Sequence, residues 1–208
     1  MEKSKPSKQT GVDYLLIKQR ECNARGLKAI HHDLRRVRKL GPLKDPVCRP
    51  DCPEYNPEKI CHGNCPFAPS RLSSEAEKYP LEKRITPLVF ELKKLGVFLP
   101  CWSCEGHNDH NGDLWKIPRV WFYSDSVVHL RALDNSVQAL FATHRLSLPW
   151  GVTLTFSHPE NPDTTFSLEP KLHKTSALLG DLHNDLNIIT ENLSALFYQT
   201  CDQMRQFN

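Results

Sequence analysis

Gly151-Val152-Thr153-Leu154-Thr155-Phe156-Ser157 is the stretch that decides the fold class. Val152, Leu154 and Phe156 fall on one side of a period-two alternation and the threonines on the other, as in a half-buried strand. Residues 158–163, rich in Pro, Asn and Asp, read as a turn that returns the chain as a hairpin to a second strand over 165–168. Then the period changes. From Ser176 onward Leu178, Leu179, Leu182, Leu186, Ile189, Leu193, Leu196 and Phe197 repeat at helical spacing. A hairpin followed by a long amphipathic helix predicts an α+β protein.

Upstream segments extend the same reading. Residues 97–102, 119–123 and 127–133 predict three more strands, and Asp134 predicts the cap of a short helix through Arg145. Thr86 and Pro87 predict an N-cap and first helical residue, Gly96 predicts the stop, and Leu88, Leu92 and Leu95 form the stripe between them. Residues 81–208 are therefore expected to form a mostly antiparallel sheet packed against helices.

Two segments precede this unit. Residues 1–42 predict a basic helical segment: Val12, Leu15, Leu16, Ala29, Ile30, Leu34 and Val37 supply apolar positions, Gly26 divides the helix, and Gly41-Pro42 ends it. The first 50 residues hold 13 Lys/Arg against 5 Asp/Glu, and the remainder 14 against 19. The cluster Arg35, Arg36, Arg38 and Lys39 can grip phosphates, which makes nucleic acid a candidate partner, or can form a solvated helix face.

Residues 43–80 predict a Cys-rich, metal-binding module. Cys48-Arg49-Pro50-Asp51-Cys52-Pro53 and Cys61-His62-Gly63-Asn64-Cys65-Pro66 repeat one pattern, Cys-x-x-[Asp/Asn]-Cys-Pro. Two like turns carrying Cys48, Cys52, Cys61 and Cys65 form the usual cage for a tetrahedral, thiolate-bound ion. Thiolates suit Zn2+, which would be structural with four protein ligands, and as an alternative an iron–sulfur cluster, where proline after cysteine recurs. His62 can take the place of one thiol. Without a metal the stretch is too poor in apolar residues to stay folded.

A second constellation is Cys101-Trp102-Ser103-Cys104-Glu105-Gly106-His107-Asn108-Asp109-His110. Cys101, Cys104, His107 and His110 place metal-ligating side chains at every third position, after a predicted strand. Trp102 and Trp121 are candidate walls of a pocket. Several chemistries fit. A catalytic metal can use Cys101, His110 and their neighbours with Glu105 moving a proton; Cys101 and Cys104 can form a redox pair; Cys104 can act as nucleophile with His107 as base. Alternatively the cysteines are buried and the histidines sit on a polar loop. Pro100-Cys101-x-x-Cys104 matches half of the zinc nucleobase-deaminase signature, but the His-x-Glu half does not precede it.

No Gly-rich phosphate loop, His-Glu-x-x-His helix, Gly-x-Ser-x-Gly elbow or EF-hand occurs in the sequence. No run approaches the roughly 18 apolar residues of a membrane span. The polar, basic start predicts a cytoplasmic chain whose thiols stay reduced. The expectation is a metal-binding protein, with zinc ahead of iron–sulfur. It is read as an enzyme acting on a small polar or nucleotide-like substrate at Cys104, Glu105 and His107. The alternatives are a nucleic-acid- or protein-binding module with a purely structural metal, and an iron–sulfur or thiol redox protein.

Overall fold

The computed structural model describes Arg25 and residues 50–56, 62–156, 164–172 and 177–206. Apart from Arg25, which is helical, the predicted basic helix lies outside the described residues, as do Cys48 and Cys61. The elements are α1 (Ala68–Leu72), α2 (Thr86–Lys94), β1 (Leu99–Cys104), β2 (His107–Asn108), β3 (Leu114–Lys116), β4 (Arg119–Tyr123), α3 (Val127–Ala142), β5 (Trp150–Phe156), β6 (Thr164–Pro170) and α4 (Leu179–Gln206). The class is α+β. β1, β4, β6 and β5 lie side by side in that order as a four-stranded sheet, every neighbouring pair antiparallel, and β2–β3 form a separate two-stranded ribbon.

Alternation in β4 sorts the sheet into two faces. Val120 and Phe122 are buried with Leu168 of β6, against Ile85, Leu88 and Leu92 of the α2 region and Leu182, Leu186, Ile189, Leu193 and Phe197 of α4. Phe98 meets Phe122 and Phe197 edge-on at 5.2 and 5.5 Å, which ties sheet to helix. From Leu182 to Phe197 the leucine repeat seen in the sequence is the inner stripe of α4, while Leu178 precedes the helix and is exposed. On the opposite face Trp102 and Trp121 are cross-strand partners, with ring centroids 4.9 Å apart.

Residues 127–133 correct the sequence reading. They were expected to form a strand and instead make the first half of α3, which runs unbroken from Val127 to Ala142. Val128, Ala132, Leu133, Ser136, Val137 and Leu140 are buried at helical spacing, so packing against the sheet and α4 overrides the β-preference of Val127 and Val128. Asp134, expected as a cap, sits mid-helix, where its carboxylate accepts the Val152 N–H at 2.8 Å and steadies β5. No helix among the described residues is long and apolar enough to cross a membrane.

Candidate functional site

β1 ends at Cys104, and the chain must then turn sharply into β2. Gly106 makes that turn possible: its φ is +87°, and a Cβ there would lie 2.9 Å from Leu179 Cδ1 and from Pro118 Cδ and N. A side chain is excluded by backbone strain and by contact with backbone. Replacing Gly106 with Ala is expected to cost about 2–4 kcal/mol, the sum of a left-handed penalty and overpacking. Gly112 has φ +90° but nothing within 4 Å of a Cβ, so Gly112→Ala should cost only about 1–2 kcal/mol. Urea denaturation of the two variants checks this; equal losses would mean that the close packing at Gly106 does not matter.

Three hydrogen bonds lock the turn. The Glu105 N–H donates to Glu82 Oε2 at 2.6 Å, and the Arg84 N–H donates back to Glu105 Oε2 at 2.8 Å. This crossed clasp joins the lead-in of α2 to the end of β1. From α4, His183 Nε2 donates to the Glu105 carbonyl at 2.9 Å. Glu82 is fixed from its other side, because its carbonyl accepts both the Thr86 N–H and, at 2.8 Å, the Thr86 hydroxyl.

The result is a compact trio. Ligand-capable atoms of Glu82, Cys104 and His107 all lie within 4.8 Å of one another. Glu82 Oε1 is 2.8 Å from His107 Nε2, leaving a proton where a cation could sit. Cys104 is buried, while Glu82 and His107 keep 37% of their side-chain exposure, so the trio opens on one side to solvent. Burial pushes the Cys104 thiol above its ordinary value of 9.0; the Gly106 N–H pulls it down, Glu82 adds to the rise, and Lys116 and Arg119 oppose it. A thiol of this kind is protonated near pH 7 and a poor nucleophile. A bound cation would reverse that, stabilising thiolate and carboxylate together.

The open side faces a cleft of about 970 Å³ bounded by β1, α2 and residues 71–82. Its size is at the upper end for small-molecule sites. Trp102 lines the cleft; Trp121 stands behind it against the Trp102 ring, with the Arg119 guanidinium 5.4 Å from one ring centre and 5.5 Å from the other.

Neither a family model, nor a curated protein, nor a solved structure matches this chain.

Of the side chains singled out in the sequence, Cys104 and His107 come together and Glu105 lies between them with its carboxylate turned to the Arg84 N–H. Cys101 is the residue skipped by a bulge in the β1–β4 register, exposed on the cleft wall and outside the trio. His110 is exposed in the β2–β3 turn and also outside the trio. Burial likewise raises the Cys101 thiol pKa. Of the double-cysteine motif, Cys52 is buried and accepts the Tyr55 N–H on its carbonyl, and the Cys65 N–H closes a turn onto the His62 carbonyl. Glu82 escaped the sequence reading: it sits in an unpatterned stretch, 22 residues before Cys104, with no spacing to link them. His183 carried no signal either, because its partner is a backbone carbonyl.

Proposed function

We propose that Glu82, Cys104 and His107 hold a divalent cation, zinc by ligand type, and that this centre serves an enzyme acting on a small molecule in the adjoining cleft. The observation that carries the reading is the trio itself: a thiol, an imidazole and a carboxylate within 4.8 Å, at the edge of a large cleft. Mixed S, N and O ligands suit zinc, and three protein ligands leave a position for water or substrate. When bound, such an ion supplies a Lewis acid and a water acidic enough to act near neutral pH.

The protein's own groups have separable tasks. The Glu105 N–H engages Glu82 Oε2 and leaves Oε1 toward the trio; the Gly106 N–H supports the Cys104 sulfur. Glu105 is thus a positioning residue, since its carboxylate holds Arg84. A second, structural ion is proposed at Cys48, Cys52, Cys61 and Cys65, supported by the closed turns at Cys52 and Cys65.

Metal analysis of the purified protein should find two ions, one lost in Glu82→Gln and the other in Cys61→Ser. Zinc affinity of the cleft site is expected to fall at least about 10-fold in Glu82→Gln, and to stay within about threefold in Glu105→Gln, whose amide oxygen can still accept the Arg84 N–H. Wild-type affinity in Glu82→Gln would sink the proposal.

A further inference from the structure

Lys78, Lys93 and Lys116 reach the same cleft from three directions: the loop before α2, α2 itself, and β3. Among the described residues no ion pair engages any of them, and the Lys116 ammonium lies 4.1 Å from the centre of the exposed Trp115 ring. The cleft's remaining charges are largely spoken for. Arg71 is paired with Asp51 at 2.9 Å, and Glu82 with His107 at 2.8 Å, which leaves Glu75 as the counterweight. Lys116 is the cross-strand partner of His107 in the β2–β3 ribbon, which places it beside the trio. The walls between these cations are aromatic: Tyr79 and Trp102 are 70% and 44% exposed, and Tyr123 closes the β4 side.

We infer that the cleft binds a small phosphorylated compound carrying a flat ring, its phosphate among Lys78, Lys93 and Lys116 and its ring against Trp102 and Tyr79. This rests on the cleft being the working site, as proposed above, but not on the ion. Three lysines lining one cleft without carboxylate partners make a field that attracts a multiply charged anion, and low-dielectric walls focus it. Neutral or cationic substrates gain nothing from that arrangement. A phosphate monoester supplies about −2 near neutral pH and three acceptor oxygens, enough to meet three ammonium donors. Exposed aromatic rings beside the cations suit a planar heterocycle, which stacks independently of its substituents.

Calorimetric titration of the full chain with adenosine 5′-monophosphate, adenosine and inorganic phosphate is the test. The nucleotide is expected to bind at least about 10-fold more tightly than either fragment, and to weaken several-fold when salt is raised past the screening range. Lys93→Glu and Lys116→Glu, which alter partly or fully exposed side chains, should each weaken it about 10-fold or more. Arg131→Glu, on the exposed side of α3, should leave it unchanged. Nucleotide binding that persists in Glu82→Gln after the cleft ion is lost supports this inference by itself, even if no ion is ever found. Adenosine binding as well as its monophosphate, no binding of the monophosphate, or indifference to both lysine reversals would overturn it, whatever the metal content.

Discussion

The Cys104→Ser variant is expected to bind zinc at the cleft site at least about 100-fold more weakly than the wild type, a larger loss than removal of a group that only hydrogen-bonds a ligand produces. Serine keeps the shape but offers a hydroxyl that does not ionise near neutral pH. The dependence on pH is more discriminating. Burial holds the Cys104 thiol above its ordinary value of 9.0 in the metal-free protein, so the thiol is still protonated from pH 6 to 8.5. An ion that binds the thiolate must expel that proton. One proton released per ion makes the apparent affinity rise about 10-fold per pH unit across this window. The sign is fixed: raising the pH favours binding, and the gain continues until the pH passes the raised thiol value. In Cys104→Ser the thiol's share of the slope disappears along with the affinity. Competition against a metal-buffering chelator at several pH values measures both. A wild-type slope near zero from pH 7 to 8.5 would mean that Cys104 is not a ligand, leaving the trio as an ordinary ion pair beside a buried cysteine.

The parts of this picture that were legible in the sequence share a physical cause. Residues 119–123 alternate because one face of that strand is buried and the other is not, and the leucines of α4 recur because that helix lies lengthwise on the core. In β5 the expected alternation does not follow burial, since Leu154 is 55% exposed while Gly151 is buried. In residues 127–133 two periods compete. Val127-Val128 favours a strand locally, and only the depth of Ala132, Leu133, Ser136 and Val137 decides for a helix. Depth is a tertiary property. The site divides in the same way. Cys104 and His107 were found because a single tight turn joins them, so closeness in sequence becomes closeness in space. Cys101 and His110 share their spacing but not their fate. The bulge sets Cys101 apart from the ladder, and the two-stranded ribbon carries His110 out to its turn. Glu82 is brought in by the clasp with Glu105, a contact between a side chain and a backbone N–H, and backbone donors leave no trace in residue identity.

Asp185→Ala should be the most damaging single change in the core, at about 3–5 kcal/mol. Asp185 lies on α4 with no solvent exposure, and its carboxylate accepts three N–H groups from the α3–β5 connection. Ser147 N–H donates at 2.7 Å, Leu148 N–H at 3.1 Å and the Trp150 indole N–H at 3.2 Å. A buried charge survives only where such donors replace its lost water. Here they fix the entry into β5 and seat Trp150, itself fully buried, against α4. Alanine would strand all three donors away from water and leave a cavity beside the indole. For a chain of this size each kcal/mol lowers the melting temperature by roughly 2–4 °C, so a fall of about 6–20 °C is expected. Asp185→Asn separates charge from shape. Its one carbonyl oxygen can serve one or two donors, but its NH2 group faces the third, so most of the loss should remain. Asp185→Leu fills the volume without accepting any hydrogen bond. If Asp185→Leu melts as the wild type does, the carboxylate is only occupying space and the three donors are satisfied elsewhere; melting at or below the alanine variant would show that these hydrogen bonds hold the strand β5 to α4.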